Sequence, residues 1–211
     1  LKDLVLSQPN QDQWDIEADI VVIGAGGCGM VASLAAAQRG ARVLLLEKTS
    51  HVGGNTSLSQ GMIPAAGTRF QREMGIVESP KDMAQDIFAK NQHESDPKLT
   101  LFLCEQSKYL VEWLVDTVGV ELRLVSDFKY PGHTQFRMHA PPTRTGRALV
   151  ERLYQEVTRH DLIQLVLNYP IHGLVTNPDG AVIGIIGGAS PKEHIRCRKV
   201  ILACNGFGAN R

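Results

Sequence analysis

Near the N-terminus, Gly24-Ala25-Gly26-Gly27-Cys28-Gly29 has the spacing G-x-G-x-x-G. These residue types at this spacing suit the binding of a pyrophosphate. Gly24 permits a tight turn, Gly26 lets a phosphate approach the backbone, and Gly29 lets a helix pack closely on a strand. Gly27 and Cys28 fall where the helix must start, so its free N–H groups and its dipole face the anion. Glu47 lies 23 residues after Gly24, where a carboxylate can accept both hydroxyls of a ribose and disfavours a 2′-phosphate. The fingerprint alone allows FAD or NAD. The following segment, Glu47-Lys48-Thr49-Ser50-His51-Val52-Gly53-Gly54-Asn55-Thr56, favours FAD. Gly53 and Gly54 allow the chain to fold back along a pyrophosphate and ribityl chain, a loop that an NAD domain does not need.

The surrounding elements must put these residues between a strand and a helix. Residues 19–23 (DIVVI) form a short apolar β-branched run, expected as a buried parallel strand. Residues 27–39 are Ala-rich and predict a helix stopped by Gly40, and 42–46 (RVLLL) predict a second buried strand ending on Glu47. Strand, helix and strand in about 30 residues make a βαβ unit. Residues 48–68 read as a long ordered loop. Helices are expected at 81–90, 97–117 and 147–160, the last capped by Thr145. In the second of these, Leu99, Phe102, Leu103, Leu110, Trp113 and Leu114 recur at helical spacing and are assigned to the core. Strands are expected at 163–167, 171–176, 181–186 and 199–203. Asn177-Pro178-Asp179-Gly180 forms a hairpin turn, and Asn205-Gly206-Phe207-Gly208 follows the last strand. The fold class is α/β, a Rossmann-like domain with a central parallel sheet and an added antiparallel hairpin or meander. Residues 1–15 read as a leader and 16–211 as the nucleotide-binding domain.

The 22 basic and 22 acidic residues balance, so no bulk field favours nucleic acid or an anionic membrane. The uncharged stretch 20–38 is interrupted by glycines at fixed spacing, which argues against a membrane span. Residues 1–13 are polar and lack the apolar run of a secretory signal. The chain begins with Leu1 rather than Met, consistent with a chain processed, trimmed or cut from something longer. Cys28, Cys104, Cys197 and Cys204 contain no CxxC pair and read as scattered buried thiols in a reducing compartment. A cytoplasmic location is expected, with the periplasm still open.

Three stretches resemble the fumarate reductase and succinate dehydrogenase flavoproteins, a family that includes 3-ketosteroid dehydrogenases. They are DIVVIGAGGCGMVASLAAAQRGARVLLLEK, GGNTSLSQGMIPAAGT and KVILACNGFGAN. YLVEWLVDTVGVEL and PPTRTGRALVERL add weaker support. The resemblance implies FAD as cofactor, with Cys28 meeting the phosphates through its backbone, Glu47 on the adenosine ribose, and Lys48 in the same segment. It further implies Asn55 and Thr56 at the pyrophosphate and ribityl chain, and Gly61 and Met62 near the isoalloxazine. Ile171 would pair its backbone with the adenine edge, and Ala203 would line that pocket. The family usually has two glycines at Gly61-Met62, and Cys204-Asn205 replaces its usual Thr-Gly. Membrane-bound members carry a flavin-linked His where Asn55 stands, so the FAD here is expected to be non-covalent.

In the family the chain continues into a capping domain that supplies substrate and proton-transfer groups. This sequence therefore reads as an N-terminal lobe, contributing no catalytic residue to a flavin-dependent reduction or desaturation of an activated C–C bond in a small molecule. Fumarate, urocanate, a tricarboxylate and a steroid ring all fit that class. A non-catalytic nucleotide-binding module and an NAD-dependent dehydrogenase are the competing readings. His133, Arg137 and His139, with Arg144 and Arg147, could form an anion site, though a solvated basic loop is the preferred reading. No carboxylate or cysteine completes a metal set with the histidines. Tyr130 matches no motif, and Ser57 and Ser59 lack the strand–elbow context of a nucleophile.

Overall fold

The computed structural model describes residues 14–206. Most of the expected leader, and Phe207-Gly208 of the terminal segment, lie outside the described residues. In chain order, β1 (Ile16–Ile23) leads through the glycine turn into α1 (Gly27–Ala37) and β2 (Val43–Leu46). Then come α2 (Gly54–Leu58), β3 (Ile63–Pro64), α3 (Arg69–Glu73), α4 (Pro80–Lys90) and α5 (Pro97–Asp116). The chain continues with β4 (Arg123–Leu124), β5 (Met138–Ala140) and α6 (Gly146–Arg159), and closes with β6 (Ile163–Val166), β7 (Ile171–Thr176), β8 (Val182–Gly187) and β9 (Glu193–Leu202).

Local chemistry explains several of these boundaries. Ser79 caps α4 reciprocally with Asp82 and Pro80 starts the helix, while Asp96 accepts the Leu99 N–H ahead of Pro97 in α5. The Thr145 hydroxyl accepts the Ala148 N–H at 3.4 Å, the expected cap of α6. Between β7 and β8, Asn177 and Ala181 pair across the turn and Gly180 adopts φ +80°.

The described residues divide into two compact units, one of residues 14–56 with 153–206, the other Ser57–Arg152. The first holds a six-stranded sheet in the order β6-β2-β1-β9-β8-β7. β6, β2, β1 and β9 run parallel, and β8 and β7 complete an antiparallel meander. Chain order reverses direction at β1, which pairs with β2 on one side and β9 on the other. The carboxyl end of such a strand is the switch point at which open α/β sheets bind ligands. Val21, Leu44, Leu46, Ile185, Ile195 and Cys197 form the buried cluster of this sheet. In the second unit, β3-β5-β4 make a small antiparallel sheet, and Ala66, Met83, Ala84 and Cys104 form a separate core.

Four expectations require correction. The 48–68 loop contains α2 and β3. The last strand begins at Glu193, because the alternation of Ile195 and Cys197 with Arg196 and Arg198 pairs its first half with β8. The apolar stripe of α5 is largely exposed, with Leu99, Phe102 and Leu103 each more than half accessible. Of that stripe Leu114 is buried, and the helix further buries Thr100, Cys104, Ser107 and Val111. Finally, all four cysteines are free, but Cys28 and Cys204 are exposed.

Candidate dinucleotide-binding site

The first unit brings the glycine turn, the acid and the returning loop together. Gly24 donates its N–H to the Leu46 carbonyl at 2.7 Å, and Ala203 donates to Ile23 at 2.8 Å. The turn is therefore anchored to the ends of β2 and β9 on either side of β1. Gly24 has φ +104°, and a Cβ there would lie 2.6 Å from the Ala203 oxygen. A Cβ on Gly29 would lie 1.8 Å from the Gly24 oxygen, so α1 can approach the turn only through glycine. The 48–56 segment returns as expected: Gly26 and Gly53 form an isolated parallel bridge, and Gly53 donates to Ala25 at 2.9 Å. Thr56 Oγ1 accepts the Gly27 N–H at 3.2 Å.

Glu47 is aimed at this turn. Its Oε2 accepts the Ala25 N–H at 2.9 Å, and its Oε1 accepts the Thr49 N–H at 3.0 Å and the Thr49 hydroxyl at 2.9 Å. Burial works against ionisation of this carboxyl, but those donors outweigh it and hold its pKa below the ordinary value. Sequence reasoning missed Ala25 and Thr49 as the groups that fix the acid. The signal was a Thr two residues after the Glu, in reach of its own neighbour's carboxylate.

The start of α1 fits a phosphate. Its N-cap is Gly26, which offers no side-chain hydrogen bond, and its first turn carries no acidic residue. A Cβ at Gly26 would meet only the Gly53 oxygen, at 3.8 Å. A ligand can therefore approach the backbone at Gly26, while the Thr56 side chain lies beside Gly27. Cys28, Lys48, Gly54 and Asn55 are exposed around this turn. Ile171 opens β7, next in sequence to the segment whose Tyr169 N–H binds the Glu47 carbonyl at 2.8 Å.

Gly61 and Met62 belong to the second unit. Gly61 is buried with φ +64°, and a Cβ there would lie 2.9 Å from the Thr145 oxygen. The Tyr130 hydroxyl lies 3.6 Å from Met62 Sδ and 3.4 Å from Gln60 Oε1.

In the basic loop of this unit Arg144 and Arg147 are exposed, as a solvated loop requires, but Arg137 and His139 are buried, only 1% and 0% exposed. Arg137 Nη2 donates to both Glu78 and Asp86, so two carboxylates already neutralise it. The His139 Nε2 meets Thr68 Oγ1 at 2.9 Å. That hydroxyl also accepts the Gln71 N–H at 3.2 Å.

Burial lowers the His139 pKa from 6.5 to about 4, only partly opposed by the carbonyls of Ile63 and Arg137. A depressed folded-state value stabilises the protein above pH 6.5 and loses that contribution as pH falls towards 4. The full loss is about 3 kcal/mol. Asp86, also held below its ordinary value, loses its contribution only below about pH 3.8. Glu78, raised by burial, acts in the opposite sense and weakens the fold as pH rises through its folded-state pKa. Denaturant titrations at pH 7 and pH 4.5 should therefore show most of the His139 loss in the wild type. A much smaller pH difference is expected in His139→Gln, which presents an amide to Thr68 but cannot titrate. Equal pH differences in the two proteins would exclude His139 as the source.

Comparison with known proteins agrees with this geometry. The FAD binding domain family matches residues 19–211. The chain is 34% identical over 197 residues to a urocanate reductase of Eggerthella lenta, covering 92% of this chain and 32% of that protein. It is 33% identical over 196 residues to a fumarate reductase (cytochrome) of Shewanella frigidimarina, covering 91% of this chain and 34% of that protein. The open conformation of a flavocytochrome c3 fumarate reductase superposes with a TM-score of 0.85 at 31% identity, over 93% of this chain and 35% of that one. The 3-ketosteroid-Δ4-(5α)-dehydrogenase of Rhodococcus jostii RHA1 gives 0.81 at 30% identity, over 94% and 48%. The chain thus spans about a third of the length of the curated reductases it matches. With its glycine turn, acid and returning loop assembled at the end of β1, the chain belongs to the FAD binding domain family and is similar to its fumarate and urocanate reductases.

Proposed function

We propose that this chain holds FAD non-covalently within a flavoprotein that reduces or desaturates an activated carbon–carbon bond of a small molecule. The observation that carries the reading is the assembly at the end of β1, where a glycine-capped helix start, a fixed carboxylate and the Gly53 loop converge. The relatives bearing reductase names support the reaction class. Bound flavin supplies hydride exchange at its N5 with a carbon of such a bond.

The residues of this chain bind and orient. The N–H groups of Cys28 and Gly29 face the pyrophosphate, Glu47 accepts the adenosine ribose hydroxyls, and Lys48, Asn55 and Thr56 line the approach of the ribityl chain. Ile171 meets the adenine edge and Ala203 borders that pocket, while Gly61 and Met62 face the isoalloxazine. The proton step falls to groups outside this chain. Supporting this, Arg137 is already paired with two carboxylates and His139 is fully buried. We place the protein in the cytoplasm or periplasm. Among the described residues no helix is long and apolar enough to cross a membrane.

The purified 211-residue chain, mixed with FAD and desalted, is expected to retain visible flavin absorbance in about a 1:1 ratio that denaturation releases. NAD should neither displace it nor bind comparably. Preferential NAD binding would overturn the assignment, as would failure to retain any flavin.

A further inference from the structure

Tyr169 occupies a position for which neither the glycine fingerprint nor the binding roles above account. It lies between the ribose acid and the expected adenine residue. Its N–H binds the Glu47 carbonyl at 2.8 Å, and the preceding Asn168 N–H binds the Thr49 carbonyl at 2.9 Å. The backbone of 168–169 is therefore bonded to the end of β2, on the residue that carries the carboxylate and on the residue that orients it. Two residues further on, Ile171 begins β7 and pairs with Gly187 of β8.

The Tyr169 side chain fixes the other end of this short segment. Its ring packs over Gly187, where a Cβ would lie 2.5 Å from Tyr169 Cε1 and 2.8 Å from Ile171 Cδ1. Its hydroxyl donates to Glu193 Oε2 at 2.6 Å, and Glu193 is the β9 partner of Gly187. The Gly188 N–H meets the Pro170 carbonyl at 3.0 Å and its carbonyl meets His172 Nε2 at 2.8 Å, so the loop after β8 bonds to the same segment. A hydrogen bond to a carboxylate is among the stronger neutral-to-charged contacts. It spans three strands here, where a plain apolar residue would fill the space over Gly187 equally well.

We propose that Tyr169 and Glu193 form a latch that sets the spacing between Glu47 and Ile171, and so fixes the adenosine half of the dinucleotide site. Tyr169 is a positioning residue, acting through the backbone of 168–171 rather than by touching the ligand. The inference rests on the reading that Glu47 takes the ribose and Ile171 the adenine.

The test compares FAD with FMN, which lacks the adenosine half, on the full 211-residue chain by flavin fluorescence titration. Tyr169→Phe and Glu193→Ala should each weaken FAD about tenfold or more, the size of one hydrogen bond to a charged group, and leave FMN unchanged. Glu193→Gln keeps an oxygen that accepts the phenol proton and should retain FAD affinity within about twofold. Unchanged FAD affinity in Tyr169→Phe would overturn the latch. So would equal weakening of FAD and FMN, the pattern of a generally loosened fold. Failure of the wild-type chain to bind FAD would instead bring down the dinucleotide reading, and the latch with it.

Discussion

A Gly26→Ala variant is expected to fold as the parent chain does and to lose FAD, whereas Gly29→Ala is expected to lose the fold itself. The two glycines share one motif but face different surroundings. At Gly26 the backbone is extended, with φ −77° and ψ −177°, which alanine adopts freely. Its added methyl would touch nothing nearer than the Gly53 oxygen at 3.8 Å. The cost to stability should stay within about 1 kcal/mol, that of a poorer N-cap. The methyl would, however, stand where a phosphate must approach the N–H groups of α1, and affinity should fall by roughly a hundredfold or more. At Gly29 the same methyl would sit 1.8 Å from the Gly24 oxygen and 3.0 Å from its carbonyl carbon. Backbone cannot yield to that overlap without separating α1 from the turn, and overpacking of this kind costs about 3 kcal/mol or more. Thermal melts of the apo chain and FAD titrations separate the two effects. A Gly26→Ala chain that melted far below the parent would show that the space in front of Gly26 belongs to the fold rather than to a ligand.

The geometry of the glycine turn was legible in the sequence for identifiable physical reasons. The glycine turn and Glu47 act through backbone and a single carboxylate, so residue type and spacing nearly determine their geometry. β2 is buried throughout and the end of β1 is buried at Val21 and Val22, so both segments read as apolar runs. The strands β3, β4 and β5 have two or three residues each, too few to carry any period. On α5 the apolar stripe and the buried face coincide only at Leu114. The buried face is the one whose polar groups are satisfied: Ser107 Oγ donates to the Cys104 carbonyl at 2.7 Å and accepts the Ala66 N–H at 3.3 Å, and Thr100 bonds Ser95 at 3.1 Å. Hydrophobicity ranks residues but does not count such bonds. The same limit hid Tyr169, whose role depends on Gly187 and Glu193 in strands far along the chain.

Arg137 shows that limit most clearly, and its replacement should have the largest effect on stability in the second unit. Its sequence neighbours are His133 and His139, which invite a reading as a basic loop. Its real partners are Glu78 and Asp86, 59 and 51 residues away in sequence. Glu78 also accepts from Gln71 Nε2 at 2.6 Å, and Asp86 accepts the Thr134 N–H at 2.7 Å and its hydroxyl at 2.9 Å. Arg137 therefore ties β5 and the preceding loop to α4 and to the turn before it. Arg137→Met fills most of the volume but leaves a fully buried Glu78 side chain and a largely buried Asp86 side chain without a counter-charge. Removing one partner from such a cluster costs about 3–5 kcal/mol. The penalty comes chiefly from the stranded carboxylates rather than from the lost attraction. Adding Glu78→Gln and Asp86→Asn to Arg137→Met should therefore recover much of the loss, because neutral amides keep the Gln71 and Thr134 contacts without an unpaired charge. Denaturant unfolding of the single and triple variants measures the difference directly. If the triple variant were no more stable than the single one, the cost would lie in lost packing around the guanidinium, and the charge argument would fail.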